Sequence, residues 1–190
     1  CLAALACGWQ LGSPPGELKV GIEGVRGVPG RFETVDLGQD FAVIIDYAHT
    51  PDGLENVLQA ARALTRGRII LVFGCGGDRD RSKRPIMGEI AARYGDFSII
   101  TSDNPRGEDP MAICRQVEEG VRRGSGEYLL EVDRRQAINL AIDMAQPGDV
   151  VLVAGKGHEN YQMFKDRVIH FDDREEAARA LRGRKRIGKA

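Results

Sequence analysis

An apolar segment that ends in glycines and charges constrains the fold of this chain most. Residues 69–73 (IILVF) form a run of strand length, and three glycines and a group of charged side chains follow at 74–84. A fully apolar run of this length is typical of a strand buried in a parallel sheet. Glycines let the backbone turn tightly and approach a ligand. Since open α/β sheets bind ligands at the carboxyl ends of their strands, the segment predicts a binding site.

Strands and helices are predicted to alternate along the rest of the chain. Segments at 31–35 and 168–171 are expected to form short strands, and longer apolar runs lie at 41–46, 97–101, 128–132 and 149–153. Segments with helical apolar spacing separate the longer runs, and the connections are short. This order favours right-handed βαβ units. The predicted fold is α/β and Rossmann-like, with a mostly parallel sheet of about six strands and helices on both faces.

The first 30 residues are predicted to lie outside this sheet. Residues 1–12 have the pattern of the last turns of an apolar helix, and 13–16 (SPPG) form a turn cluster. Residues 17–30 are interrupted too often by glycine and proline for a core element, so we expect a domain boundary near residue 30. The chain starts with CLAALA, without Met or a helix cap, which indicates a fragment of a longer protein.

Composition argues against several classes of protein. Apolar residues at 42% and charged residues at 29% are typical of a soluble domain, and a net charge of −1 gives no reason to expect a nucleic-acid partner. The apolar residues 2–11 are too few to span a bilayer. Four cysteines without a C-x-x-C pair favour reduced thiols over a zinc site or disulfides. We expect a cytoplasmic monomer with no membrane partner, no metal ligands of its own, and a solvated, frayed basic end at 182–186 (RGRKR).

Polar clusters follow four of the predicted strands. They begin after Asp46, Phe73, Thr101 and Val153. Because the carboxyl ends of parallel strands meet at one edge of a sheet, four such clusters favour a binding site over a merely solvated rim.

Neither glycine-rich segment completes a known phosphate-binding motif. Gly74 and Gly76 match the start of the dinucleotide fingerprint, but Arg79 stands where its third glycine is required. Lys156 is followed by glycine rather than Ser or Thr, and Val150 stands where a P-loop has its first glycine. The chain is therefore not predicted to build a complete triphosphate site.

Residues 103–106 (DNPR) suggest an amino-acid ligand. Asn104 offers a donor and an acceptor, and the planar fork of Arg106 suits a carboxylate. With Arg79 as a second cation and Glu159 as a partner for an ammonium group, the set fits the zwitterionic end of an amino acid. A surface cluster of salt bridges explains the same residues equally well.

His49 has two interpretations. It is a candidate base or substrate ligand, and before Thr50-Pro51 it is equally a turn residue that bonds its own backbone. No nucleophile–base pair is evident in the sequence, which argues against covalent catalysis. We expect no catalytic residue in this chain.

Five stretches, taken together and in order, resemble the Mur ligase family. They are 29–33 (PGRFE), 46–52 (DYAHTPD), 73–80 (FGCGGDRD), 103–106 (DNPR) and 154–162 (AGKGHENYQ). By this resemblance, residues 1–30 are the tail of the family's central ATPase domain. Residues 31–190 are its C-terminal, amino-acid-binding domain with a basic tail.

The resemblance also implies a reaction. ATP, with Mg²⁺, phosphorylates the γ-carboxylate of D-glutamate in UDP-N-acetylmuramoyl-L-alanyl-D-glutamate, and the amine of meso-diaminopimelate attacks the acyl phosphate. ATP and Mg²⁺ would be bound mainly by the central domain. The isolated chain, which has no P-loop, is expected to be inactive.

Motif position assigns roles by the same resemblance. Arg31 and Asp46 are expected to contact the nucleotide, and His49 to lie near the UDP-linked peptide substrate or to take part in domain closure. The residues expected to hold the far end of diaminopimelate are Arg79, Asp103, Asn104, Arg106, Gly155 and Glu159, with Asp103 shaping the turn. Arg106 favours diaminopimelate over lysine. A lysine-adding relative, a folylpolyglutamate synthase and a non-catalytic scaffold relative are the alternatives.

Overall fold

The computed structural model describes residues 1–25 and 27–187. In this part of the chain, a six-stranded sheet has the order β1-β2-β6-β3-β4-β5. The strands are β1 (Glu33–Thr34), β2 (Ala42–Asp46), β3 (Ile69–Phe73), β4 (Phe97–Ile100), β5 (Glu127–Leu130) and β6 (Val150–Ala154). β1 lies antiparallel at one edge, and the other five strands are parallel. The predicted, mostly parallel α/β sheet is confirmed.

Helices cover both faces of the sheet, as predicted. The helices that cover it are α3 (Pro51–Leu64), α4 (Lys83–Tyr94), α5 (Pro110–Val121), α6 (Arg134–Met144) and α7 (Asp173–Ile187), and two further helices, α1 (Leu2–Gln10) and α2 (Pro15–Glu23), precede the sheet in the chain. One core layer packs α3, α4 and α5 against alternate strand residues such as Leu71 and Phe73. The other packs α6 and α7 against the intervening residues, including Ile70 and Val72. β3 is therefore apolar throughout because each of its faces meets a helical layer.

Side-chain caps mark the starts of α3, α5 and α6, each of which follows a strand-end loop. Thr50 accepts a hydrogen bond from the backbone N–H of Gly53 at the start of α3 (3.2 Å). Asp109 and Asp133 cap α5 and α6 in the same way. These caps satisfy backbone donors that a helix leaves unpaired in its first turn. The loops after β2, β4 and β5 therefore lead into capped helices, whereas α4 begins without a side-chain cap and the loop after β6 leads to a strand.

Two features of the C-terminal region differ from the sequence prediction. β8 (Val168–His170) does not join the main sheet but pairs with β7 (Tyr161–Met163), which the sequence did not reveal. Strands of three residues carry too little alternation to be recognised.

The frayed end predicted for 182–186 is wrong for the backbone, because α7 continues to Ile187. Arg184 donates to the carbonyl of Ala145 (2.7 Å) and lies over the ring of Phe41, whereas the side chains from residue 185 onward lie outside the described part.

The N-terminal segment forms the two helices α1 and α2. Neither contributes a buried side chain within the described residues, although α2 is a regular helix where the sequence suggested an interrupted segment. The domain boundary near residue 30 stays a prediction. None of the helices in the described ranges has the length and apolar character needed to span a membrane.

Candidate functional site

A cavity of about 430 Å³ lies at the carboxyl ends of β2, β3, β4 and β6. The loops after all four strands line it, together with Tyr161 of β7. Seven of the residues singled out in the sequence are among its lining: His49, Arg79, Asp103, Asn104, Arg106, Gly155 and Glu159. The four polar strand ends thus form one concave site, which is where parallel α/β sheets bind ligands.

Asn104 is held in one orientation at the centre of this cavity. Its side-chain oxygen accepts a hydrogen bond from the backbone N–H of Met163 (2.9 Å). Its amide nitrogen donates to Glu159 (2.9 Å). Asp103 accepts from the backbone N–H of Asn104 (2.6 Å), which fixes the turn on which the amide sits. The turn therefore presents a preorganised polar group to a ligand.

A buried lysine lies beneath the same group. The side chain of Lys156 is completely buried, and its Nζ atom lies 3.3 Å from the oxygen of Asn104 and 3.4 Å from a carboxylate oxygen of Glu159. Burial lowers the pKa of Lys156, while nearby Asp103 opposes that shift. Sequence reasoning missed this role because it treated Lys156 only as part of an incomplete P-loop. The available signal was its position two residues after the end of a buried strand and three residues before an acid.

A second buried cation ties two strand ends together. Arg134 forms an ion pair with Asp173 (2.8 Å) in which both side chains are completely buried. It also donates to the carbonyls of Ala154 (3.0 Å) and Ser102 (3.4 Å), which precede the loops that line the cavity. Burial opposes the charge, but the pairing with Asp173 outweighs it and the pKa of Arg134 is raised. The sequence did not indicate this anchor.

The charges below the cavity are unequal in number. Lys156 and Arg134 lie among three carboxylates, those of Asp103, Asp173 and Glu159. When all five groups are ionised, one negative charge is in excess. Glu159 is the partly exposed member, and it lines the cavity. This side of the site therefore suits an ammonium group.

Two guanidinium groups, those of Arg79 and Arg106, also line the cavity. Arg79 is exposed and donates to the carbonyl of Asp78 (2.9 Å), and Arg106 is half-buried and donates to the carbonyl of Gly77 (2.9 Å). Within the described residues, neither arginine is paired with a carboxylate, so a surface salt-bridge cluster does not describe them. Their remaining N–H donors are available to a carboxylate ligand.

Arg31 and Asp46 lie beside the cavity rather than among its lining residues. The carboxylate of Asp46 accepts hydrogen bonds from the backbone N–H groups of Phe32 and Ala48, both at 2.8 Å. A carboxylate has about four acceptor positions, so Asp46 can accept a further hydroxyl. Arg31 is exposed and stacks over the ring of Tyr47 (4.7 Å). Together, Arg31 offers a cation and Asp46 an acceptor beside the cavity.

His49 makes a hydrogen bond to the nearby backbone, as expected of a turn residue. Its Nδ1 atom lies 2.7 Å from the carbonyl oxygen of Tyr47, so Nδ1 is the donor. The ring also packs edge-on against Tyr47. In the neutral ring this leaves Nε2 as an acceptor. His49 is thus a turn residue and a lining residue at once.

The doubly covered, mostly parallel sheet and the charged cavity at its carboxyl edge define an α/β domain whose cavity suits a small ligand with charges of both signs. The family described as "Mur ligase, glutamate ligase domain" matches residues 30–157. This match covers more than half of the chain, and the chain belongs to that family.

Individual relatives are similar over nearly the whole chain. The UDP-N-acetylmuramoyl-L-alanyl-D-glutamate--2,6-diaminopimelate ligase of Syntrophomonas wolfei is 60% identical over 96% of this chain, and that of Synechococcus elongatus is 57% identical over 95%. A solved structure of a ligase with the same name is 38% identical, with a TM-score of 0.78 over 97% of this chain. The chain spans only 38% of the length of the first of these relatives and 38% of that solved chain. The fold is shared by a bifunctional folylpolyglutamate synthase/dihydrofolate synthase from Yersinia pestis. Its sequence is 22% identical and its TM-score is 0.61, and the match covers 77% of this chain and 32% of the synthase chain.

Proposed function

We propose that this chain is part of a cytoplasmic, ATP-dependent carbon–nitrogen ligase of peptidoglycan precursor synthesis. The ligase joins meso-diaminopimelate to UDP-N-acetylmuramoyl-L-alanyl-D-glutamate. The observation that carries the proposal is that Arg79 and Arg106, without carboxylate partners in the described part of the chain, line the same cavity as Glu159. The names of the relatives at 60% and 57% identity support the same reaction.

The cavity is proposed to hold the amino-acid end of diaminopimelate that does not react. Glu159 accepts from its ammonium group, and Arg79 and Arg106 donate to its carboxylate. Gly155, with φ of +119°, brings the backbone close to the ligand, and a Cβ atom there would lie 2.8 Å from a carboxylate oxygen of Asp103. Lysine has no second carboxylate, so it would leave the guanidinium of Arg106 without its partner. An unmatched polar group of this kind is a strong basis for rejecting a substrate.

The chain's contribution to the reaction is proposed to be positioning. ATP with Mg²⁺ supplies the activation of the D-glutamate γ-carboxylate as an acyl phosphate, which the amine attacks with loss of phosphate. Arg31 and Asp46 contact the nucleotide, and His49 lies near the UDP-linked peptide. The described residues contain no group of three His, Cys, Asp or Glu side chains that would hold a metal ion. By the resemblance to the family, ATP and Mg²⁺ are proposed to be bound mainly by the central domain of the whole ligase.

The domain assignment is part of the same proposal. Residues 1–30 end a central ATPase domain, and residues 31–190 form the amino-acid-binding domain. The match of the family from residue 30 supports this division. The whole ligase is proposed to act as a monomer without nucleic-acid or membrane partners, and the isolated chain to be inactive.

Phosphate release tests the proposed function. The full-length protein that contains this chain would receive ATP, Mg²⁺ and UDP-N-acetylmuramoyl-L-alanyl-D-glutamate, with meso-diaminopimelate or L-lysine as acceptor. Turnover with diaminopimelate supports the proposal, and preference for lysine assigns the protein to the lysine-adding type. Turnover only with a folate substrate and glutamate favours a folylpolyglutamate synthase. No turnover with any substrate favours a scaffold.

A further inference from the structure

The two loops that carry Arg79 and Arg106 are joined by reciprocal hydrogen bonds. The backbone N–H of Asp78, next to Arg79, donates to the carboxylate of Glu108 (2.7 Å). The backbone N–H of Gly107, next to Arg106, donates to the carboxylate of Asp78 (2.9 Å). Each loop thus supplies a carboxylate that binds the backbone of the other loop. The two bonds fix the position of one loop relative to the other.

The backbone at this junction adopts an unfavourable conformation. Asp78 and Arg106 have φ values of +53° and +50°, a region that residues other than glycine rarely adopt. The backbone N–H of Gly77 donates to the carbonyl of Asn104 (2.9 Å), and a Cβ atom at Gly77 would lie only 1.9 Å from the carbonyl oxygen of Pro105. Such conformations persist only where the surrounding contacts hold them. The two loops are therefore held at a close and specific approach.

A buried arginine supports the junction from below. Arg84 is completely buried and pairs with both carboxylate oxygens of Glu108, at 2.9 and 3.0 Å. It also donates to the carbonyl of Gly76 (3.1 Å), in the loop that leads to Arg79. The hydrogen bonds from Arg84 lower the pKa of Glu108 to about 2, so Glu108 is ionised near neutral pH. The carboxylate is thus available as a permanent acceptor for the neighbouring loop.

We infer that Asp78 and Glu108 are positioning residues that set the separation of the guanidinium groups of Arg79 and Arg106. This separation in turn favours an amino acid with a second carboxylate. Neither acid is among the lining residues of the cavity, so both act through the arginines. Two guanidinium groups recognise a carboxylate well only when their forks are correctly placed. The inference rests on the proposed function, because it explains how the proposed site distinguishes diaminopimelate from lysine.

Asp78 offers the cleaner test because its side chain is exposed. In the full-length protein, Asp78→Gly removes the acceptor for Gly107, and glycine accepts the positive φ without strain. Asp78→Asn is the matched control, since asparagine keeps a side-chain oxygen and tolerates the same φ. We expect Asp78→Gly to raise the KM for meso-diaminopimelate about tenfold, as loss of one charge-assisted hydrogen bond predicts. The KM for ATP and the kcat/KM for lysine are expected to stay within about twofold.

The selectivity ratio is kcat/KM for meso-diaminopimelate divided by kcat/KM for L-lysine. If Asp78 had only a structural role, its substitution would leave this ratio unchanged. It is expected to fall about tenfold in Asp78→Gly and to be restored in Asp78→Asn. Glu108→Gln is the second variant and is expected to lower the same ratio. If Asp78→Gly keeps the wild-type ratio, or loses activity equally with both amino acids and with ATP, the inference is wrong. If the wild-type protein itself does not use diaminopimelate, the proposed function fails first and the inference falls with it.

Discussion

The ammonium group of Lys156 lies 3.3 Å from the side-chain oxygen of Asn104, and the two side chains are 0% and 1% exposed. A buried ammonium group is costly unless it is hydrogen-bonded and paired. Here the same group also approaches Glu159, so one lysine orients two of the polar side chains that face the cavity. Lys156, Asn104 and Glu159 therefore form one hydrogen-bonded network at the buried side of the cavity.

Lys156→Met is expected to weaken binding of the amino-acid substrate. Methionine fills similar space but cannot donate to Asn104 or balance the charge of Glu159. Loss of a hydrogen bond that involves a charged group costs about 1.5–3 kcal/mol, so kcat/KM for the amino acid should fall about tenfold or more. Steady-state kinetics of the full-length protein measure this. Lys19→Met is the control, because Lys19 is largely exposed on α2; equal effects of the two variants would contradict the account.

Arg134→Met is expected to destabilise the fold strongly. The variant leaves Asp173 buried without its partner, and breaking a buried ion pair in this way costs about 3–5 kcal/mol. The comparison is Arg123→Met, which removes the exposed pair with Glu89 and should cost less than about 1 kcal/mol. Urea denaturation of each variant gives the free energy of unfolding. A loss of less than about 1 kcal/mol for Arg134→Met would show that this pair does not anchor the strand ends.

Stability is expected to depend on the titration of Glu108 in acid. Hydrogen bonds from Arg84, and then from the backbone of Asp78, lower its pKa from 4.5 to about 2. Because the folded pKa lies below the unfolded value, this stabilisation is complete above pH 4.5 and is lost as the pH falls towards 2. Denaturation at a series of pH values should show a shallower loss in Glu108→Gln than in the wild type. Identical slopes over this window would contradict the prediction.

Gly77→Ala is expected to separate the two arginine-bearing loops. The added Cβ atom would meet the carbonyl oxygen of Pro105 at 1.9 Å, and overpacking of this kind costs about 1–3 kcal/mol. Gly21→Ala is the control, since Gly21 lies inside α2 with no neighbouring atom within 4 Å, and alanine there should stabilise the helix by about 0.5–1 kcal/mol. Thermal unfolding of both variants tests the contrast. A neutral Gly77→Ala would mean that the close approach is not required.

The sheet and the place of the cavity could be predicted because their sequence signals are long and consistent. β3 and β6 are apolar throughout, and each ends in glycine and polar residues. β7 could not be predicted, since a strand of three residues has almost no pattern and its pairing with β8 depends on tertiary contacts.

The buried charges of the site were also beyond sequence reasoning. Lys156, Arg134 and Arg84 are all completely buried, whereas lysine and arginine are expected at the surface unless a partner is present. The carboxylate partners of Arg84 and Arg134, Glu108 and Asp173, are 24 and 39 residues away in sequence. The predicted ligand-binding residues lie together, but the groups that hold them in place became visible only in three dimensions.

The most direct measurement is the selectivity ratio of the full-length protein and of Arg106→Ala. It compares kcat/KM for meso-diaminopimelate with kcat/KM for L-lysine, with ATP, Mg²⁺ and the UDP-linked dipeptide saturating. We expect the wild type to prefer diaminopimelate strongly, and Arg106→Ala to lower the ratio about tenfold or more through the diaminopimelate value alone. A wild type that prefers lysine, or an Arg106→Ala variant with an unchanged ratio, would show that this cavity does not recognise the second carboxylate of the amino acid.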